Sequence, residues 1–345
     1  MLMKAMLLHR TGLLKENPFP LVMVDMSAPI PANGEILIKV NACGVCHTEL
    51  DEIEGRTPPS FFPVVLGHQV VGIIVENGPN AHRFKEGDRV GVAWINHTCG
   101  KCKFCKEGME NLCINFKATG RDANDGYAEY IAVHEDFVHY IPEIFSDAQA
   151  APLLCAGAIG YRSLVLTKMQ NGQSLGLTGF GASAHLVMQI AKYQFPDSEV
   201  FVFARSEKER DFAMRLGARW AGNIAELAPV KPDCIIDTTP AWKPIVEALK
   251  NLAPGGRLII NAIRKEETDK NELLSLNYSE QLWMEKEIKS VANIQRRDIE
   301  EFLDLAAKVP IIPEVEIYPL EKANEALLDL KRGNVRGAKV LLVKK

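Results

Sequence analysis

Four cysteines fall within a fifteen-residue stretch: Cys99, Cys102, Cys105 and Cys113, spaced C-x2-C-x2-C-x7-C. Four thiolates on one short loop are the donor set of a tetrahedral zinc ion. Such a closed site has no position left for a substrate, so its task is structural, whereas a site with three protein ligands keeps one position open for chemistry. The other candidate ligands, Cys43, Cys46, His47, His68 and Cys155, are scattered along the chain. The pattern points to two metal sites with different tasks, the chemistry belonging to the scattered one. A disulfide reading of Cys99 to Cys113 is the alternative, and the tight loops that two-residue spacings impose count against it.

A second constellation is Gly179-Phe180-Gly181-Ala182-Ser183-Ala184, which reads G-x-G-x-x-A. The strand-like run SLGLTG (174–179) precedes it, and the helical run ASAHLVMQIAKYQ (182–194) follows. In that context the glycines allow a tight turn and the close approach of a pyrophosphate to a helix N-terminus. Small residues at such a turn also serve packing, so the motif draws its weight from the strand–turn–helix setting. An NAD site usually carries an acid about 20 positions later, where it binds the ribose 2′-hydroxyl. Here the strand EVFVFA ends at Ala204, followed by Arg205 and Ser206, and the next acid is Glu207. Arg205 can pair with a 2′-phosphate and Ser206 can donate to it, which favours NADP(H) over NAD(H). The competing reading makes Arg205 a solvated loop residue.

These residues need a scaffold. The runs EILIKV (35–40), VVGIIVE (70–76), RVGVA (89–93) and YAEYIAV (127–133) are short, rich in β-branched residues and bounded by turn formers. They predict an antiparallel, barrel-like domain. From about residue 153 strands and helices alternate, with strands at 199–204, 234–239, 256–262 and 288–293 and helices at 207–217, 243–253 and 298–309. That rhythm predicts a parallel sheet covered by helices on both faces. The terminal run AKVLLV (338–343) reads as a strand able to rejoin the first domain.

Composition narrows the class. The chain has 345 residues, enough for two domains, with 47% hydrophobic and 24% charged residues. A net charge of −4 offers no footprint for nucleic acid or an anionic membrane. The start, MLMKAMLLHR, is too short and too soon charged for a signal peptide, and no apolar run reaches the ~18 residues of a membrane span. The expected compartment is a reducing cytoplasm, where clustered cysteines bind metal.

Together the motifs resemble the zinc-dependent medium-chain alcohol dehydrogenases. Cys43-Gly-Val-Cys46-His47-Thr48-Glu49, Gly67-His68-Gln69, the four-Cys lobe and the glycine turn carry the likeness, which runs over essentially the whole chain. The resemblance implies an α/β plus β chain. A GroES-like catalytic domain comprises 1–152 and 295–345 and includes the structural zinc lobe, and a Rossmann cofactor-binding domain is inserted at 153–294. It implies a catalytic zinc on Cys46, His68 and Cys155, a structural zinc on the four-Cys lobe, and a small alcohol or aldehyde as substrate. It also implies a homo-oligomer, a tetramer rather than a dimer. Cys43 and Cys234 are left over and read as small buried thiols. A Cys43–Cys46 redox pair is disfavoured because no thioredoxin-like unit surrounds it.

Two thiolates and one neutral imidazole balance Zn2+, and a bound alcohol then loses its proton more readily and gives hydride to a nicotinamide. The family pattern makes Thr48 the acceptor of the substrate proton, aligns His47 with the cofactor pyrophosphate, and places Trp94 in the substrate pocket. Trp94 as plain core is the other reading. Several positions depart from the common pattern. Gln69 replaces a glutamate near the zinc. Glu49 replaces an aspartate that orients the ligand histidine. Asp51 stands where relatives carry a relay histidine, and a carboxylate is a weaker base near neutrality. Ala338 replaces an arginine that meets the pyrophosphate, with Arg336 or Lys339 as candidate substitutes. The leading expectation is an NADP(H)-preferring alcohol dehydrogenase or aldehyde reductase. The alternatives are a polyol or sugar-type dehydrogenase of the same superfamily and a non-catalytic NADP(H)-binding redox sensor.

Overall fold

Ile36, Leu37, Ile38, Val40, Ala42, Cys43 and Val45 are all buried along one strand, Glu35–Val45, which is long enough to serve several partners. The computed structural model describes residues 1–309, 311–333 and 337–343. One edge of Glu35–Val45 pairs with Val70–Asn77. The other pairs with Tyr130–His134 near its start and with Ala338–Leu342 near its end. Irregular register at Leu37/Ile38 and Val40/Ala42 bends the strand, as bulges do. The sheet continues outward through Arg89–Val92 to Val138–Tyr140 on one side and to Val315–Pro319 on the other. A three-stranded sheet of Leu21–Ser27, Leu2–Leu8 and Val64–Val65 contributes to the same apolar core, which includes Leu8, Ile38, Ile53, Leu66 and Ile74.

This first compact unit is Met1–Cys155 with Gln295–Lys345, and the second is Ala156–Ile294. The division falls after Cys155 rather than at 152, so Cys155 belongs with Cys46 and His68. In the second unit six parallel strands lie in the order Trp220–Gly222, Val200–Phe203, Leu175–Thr178, Cys234–Asp237, Arg257–Ile260, Glu287–Ser290. In chain order that is 3-2-1-4-5-6, the doubly wound Rossmann arrangement. The four central strands are buried nearly throughout, which is why they read as unbroken apolar runs.

The helix Ala156–Thr167, like the strands Leu2–Leu8 and Leu21–Ser27, is an element that the periodicity did not announce. Gly157, Ala158, Gly160, Tyr161, Ser163, Leu164 and Thr167 are buried around most of its circumference, so no single apolar stripe marks it. Gly160 is required by close packing: a Cβ there would come within 2.7 Å of Val187 on the helix Ala182–Gln194. The helical stretch Asp147–Thr167 is long and apolar enough by composition to cross a membrane, against the expectation from the sequence. Two thirds of it is buried within the protein, as in a core helix.

The C-terminal segment is fastened to the first unit by polar contacts. Asn324 exchanges hydrogen bonds with the backbone of Leu21, and Lys331 donates to Glu54 just after the helix His47–Ile53. Glu54 also accepts from Arg56 and from the Leu14 N–H. Burial alone would raise its pKa, but these donors outweigh it and hold the carboxyl at about 2. The unfolded reference is about 4.3. A depressed pKa stabilises the fold at pH values above the unfolded value, and that contribution fades as pH falls from about 4.3 toward 2. Glu54→Gln is therefore expected to lower Tm by a few degrees at pH 7. The gap from the parent protein should narrow as thermal melts are taken below about pH 4.

Candidate metal centres and cofactor turn

The four-Cys loop lies between the short strands Ile95–His97 and Lys117–Ala118, which pair with each other. It contains one turn of helix, Lys103–Lys106, and a 3-10 turn, Glu110–Leu112. The four sulfurs converge, with Cys99 and Cys105 4.0 Å apart and Cys102 and Cys105 3.5 Å apart. A tetrahedron with Zn–S near 2.3 Å has S···S edges of about 3.8 Å, so the cage fits that ion. Backbone N–H groups of Cys99 and Asn115 donate to Cys113 Sγ, and that of Cys102 donates to Cys99 Sγ. Backbone donors at Lys101 and Cys102 bring the Cys99 pKa down to about 6, whereas burial pushes Cys105 up to about 12. Packed thiolates repel, and a divalent cation removes that conflict. All eight cysteines are free thiols, which excludes the disulfide reading.

The scattered ligands converge as well. Cys46 follows the strand Glu35–Val45 and is the N-cap of the helix His47–Ile53, His68 follows the strand Val64–Val65, and Cys155 closes the 3-10 turn Ala151–Leu154. Cys46 Sγ lies 3.9 Å from Cys155 Sγ, and His68 Nε2 lies 3.3 Å from Cys155 Sγ. The corresponding tetrahedral edges around zinc are about 3.8 and 3.6 Å. Glu49 stands behind them. Its Oε2 accepts the Cys46 N–H at 2.7 Å, and its Oε1 lies 2.6 Å from His68 Nδ1. A carboxylate on Nδ1 turns Nε2 toward the metal position. The Cys155 thiol hydrogen bond and the nearby imidazole pull the Cys46 pKa well down, and the same pairing with burial pushes Cys155 up. Burial opposes protonation of His68, but the charges of Glu49 and Cys46 prevail and raise it.

The other expected residues divide around this trio. Thr48 Oγ1 lies 3.6 Å from Cys46 Sγ. Trp94 packs edge-on against His68 with ring centroids 4.9 Å apart. Asp51 is buried and donor-bound to Arg56 Nε, so its carboxylate is engaged as an ion pair. Gln69 is buried, and its carbonyl accepts the Gly44 N–H. His47 is exposed and outside the metal trio. Cys43 is fully buried, and Cys234 is buried with its thiol donating to the Thr167 carbonyl. Lys339 cannot stand in for the missing arginine: it is buried, with Nζ donating to Glu316 at 2.6 Å and to Tyr318 at 3.0 Å. Arg336 lies outside the described residues. Sequence reasoning missed the buried Glu52 and the guanidinium of Arg121, 5.8 Å from the Trp94 centroid. Neither sits in a local motif that marks it.

In the second unit, Gly179 has φ +77°, and a Cβ there would crowd Thr239 and Thr238 at 2.9 and 3.0 Å. Those threonines follow the strand Cys234–Asp237, so the turn sits at the point where the sheet order reverses, the usual nucleotide crevice. Lys265 fixes the threonine segment by donating to the buried Asp237 at 2.5 Å and to the Thr239 carbonyl at 2.6 Å. Gly181 is the N-cap of Ala182–Gln194, whose N-terminus has no side-chain cap, and a Cβ at Gly181 would meet only open space. Unpaired N–H groups facing open space suit a pyrophosphate. Ala182 is exposed and Ser183 half-buried beside it. Arg205 is exposed beyond the strand Val200–Phe203, while Ser206 Oγ accepts the Glu209 N–H and keeps its own proton free to donate. Arg210, also unforeseen, donates to the carbonyls of Ala204 and Arg205 and braces this strand end.

A GroES-like unit carrying a Cys2His trio and a four-Cys lobe, together with a Rossmann unit, defines a zinc-dependent nicotinamide dehydrogenase. Residues 32–143 match the family model of the alcohol dehydrogenase GroES-like domain. A Mycobacterium tuberculosis protein described as "Probable alcohol dehydrogenase AdhA" is 43% identical over 329 residues, covering 94% of this chain and 93% of that protein. An alcohol dehydrogenase of Geobacillus stearothermophilus is 32% identical over 333 residues, covering 94% and 96%. The solved cinnamyl alcohol dehydrogenase of Sorghum bicolor superposes with a TM-score of 0.83 at 27% identity, covering 99% of this chain and 98% of that one. The chain belongs to the zinc-dependent medium-chain alcohol dehydrogenase family, and it is an NAD(P)-dependent alcohol dehydrogenase. Because the space at Gly181 is open, Gly181→Val is expected to melt within a few degrees of the parent protein. It should weaken nicotinamide dinucleotide binding at least about tenfold, read by fluorescence titration.

Proposed function

We propose that the enzyme interconverts small primary or secondary alcohols with their aldehydes or ketones at Cys46, His68 and Cys155, with a second, structural zinc on Cys99, Cys102, Cys105 and Cys113, and prefers NADP(H). The convergence of Cys46, His68 and Cys155 in front of a buried Glu49 carries this reading. When bound, zinc supplies Lewis acidity to the substrate oxygen and the nicotinamide supplies or accepts hydride. Glu49 orients His68. The Thr48 hydroxyl accepts the substrate proton and passes it on toward the cofactor ribose or to water, because Asp51 is already paired with Arg56. Gln69 brings no charge to the site, and Trp94 narrows the substrate pocket. His47, Gly179, Gly181, Ala182 and Ser183 receive the pyrophosphate. Arg205 and Ser206 receive the 2′-phosphate, supported by the absence of an acid at that strand end.

A homo-oligomer is supported by the edge strand Glu287–Ser290, the preference for a tetramer resting on the family resemblance alone. All four of its residues are exposed, and the exposed Ile288, Trp283 and Met284 lie on or near it. An open strand edge with apolar neighbours is a pairing surface. The free thiols support a reducing, cytoplasmic setting.

Metal analysis is expected to find two zinc ions per chain. Cys105→Ser should lose one of them and lower Tm. Cys46→Ser should lose the other and abolish turnover. A Cys105→Ser protein that stays stable but inactive would reverse the two assignments. Arg205→Asp should raise the KM for NADP+ by about 10–100-fold relative to that for NAD+, the loss of one charge-assisted phosphate contact. An unchanged ratio would remove the NADP(H) assignment.

A further inference from the structure

On the helix His47–Ile53, Glu52 lies one turn beyond Thr48 and Glu49 and shares their side of the helix. That side faces the metal trio, since Glu49 meets His68 and Thr48 meets Cys46. Glu52 is only 1% exposed, and neither of its carboxyl oxygens has a hydrogen-bond partner among the described residues. It lies within electrostatic reach of Glu49, His68, Arg121 and Cys46. Arg121, a part-exposed cation, gives Nε and Nη2 to Asp122. Its guanidinium rests over Trp94, which rests on His68, and Trp94 Nε1, like the Glu52 carboxyl, is buried and has no partner among the described residues. Native interiors pair nearly all such atoms, so a group of them gathered around one metal ligand calls for a ligand that completes them.

A plain alkyl or aryl alcohol has nothing to offer these atoms beyond its reacting hydroxyl. The completing group must donate to Glu52 and accept from Arg121, and a second hydroxyl does both. We propose that Glu52 is a substrate-binding residue, assisted by Arg121, and that it selects alcohols bearing a neighbouring hydroxyl, with hydroxy-aldehydes or hydroxy-ketones as their oxidation products. This rests on the alcohol dehydrogenase reading above.

The test compares 1,2-propanediol with 1-propanol on the zinc-loaded full chain, for the parent protein, Glu52→Gln, Glu52→Val and Arg121→Leu. The diol-to-propanol ratio of kcat/KM is expected to fall about 10–100-fold in Glu52→Val and several-fold in Arg121→Leu. Glu52→Gln, which keeps an acceptor oxygen, should fall less. Glu52→Val should also raise Tm, because it removes an unpaired buried carboxyl. Saturation-transfer NMR gives a readout that needs no turnover: diol binding should be seen with the parent protein and lost in Glu52→Val. A ratio within about twofold of the parent in Glu52→Val, or undiminished diol binding by it, overturns the proposal. So does a lowered Tm in both Glu52 variants, which would make the carboxyl structural. If the diol binds through Glu52 while neither alcohol is oxidised, the binding assignment stands and the alcohol dehydrogenase reading fails.

Discussion

The Glu49 carboxylate divides its oxygens between two structures that the chain builds separately. One oxygen accepts the backbone N–H of Cys46 and so closes the N-terminus of the helix His47–Ile53, and the other holds Nδ1 of His68. Glu49 is fully buried, and a buried carboxylate is costly unless it is paired. The site therefore forms as a unit. Cys46 takes extended backbone angles at the helix start, the imidazole turns Nε2 outward, and Cys155 completes the trio. Without that shared carboxylate, the strand end and the histidine turn would have no common anchor. The extra methylene relative to aspartate does not impede the arrangement, because both contacts are short.

The second unit relies on a different constraint. A parallel sheet in the order 3-2-1-4-5-6 leaves a crevice where the first and fourth strands diverge. Gly179 occupies that crevice with a left-handed backbone, pressed against Thr238 and Thr239, and the Asp237–Lys265 pair holds those threonines in place. The open space at Gly181 follows from this packing. The turn's fit to a dinucleotide depends on what is absent, a Cβ and a side-chain cap, as much as on what is present.

Much of the architecture was legible because the periodicity was strong. The β-branched runs became strands, and the helix read at 182–194 spans those same residues. Ala156–Thr167 was illegible because it is buried around most of its circumference and carries glycines where helices touch. Lys339 was open to a cofactor role on paper. In the fold its ammonium sits over the Tyr318 ring and binds Glu316, because the terminal strand points that side chain inward. Glu52 was invisible for a related reason: in sequence it is one acid among several on a short helix, and only burial without a partner distinguishes it.

The sequence by itself determined the parts whose geometry is local. C-x2-C-x2-C-x7-C can close on one ion because a few turns span the cage, and G-x-G-x-x-A opens a helix because the glycines adjoin it. Tertiary structure alone decided what had to be gathered from far apart. Cys46 and Cys155 are separated by 109 positions yet lie 3.9 Å apart. Local spacing is limited by backbone stereochemistry and can be read from a motif. Distant convergence, and the burial that leaves one carboxyl unpaired, depend on strand register and packing over the whole unit, which no short stretch of residues encodes.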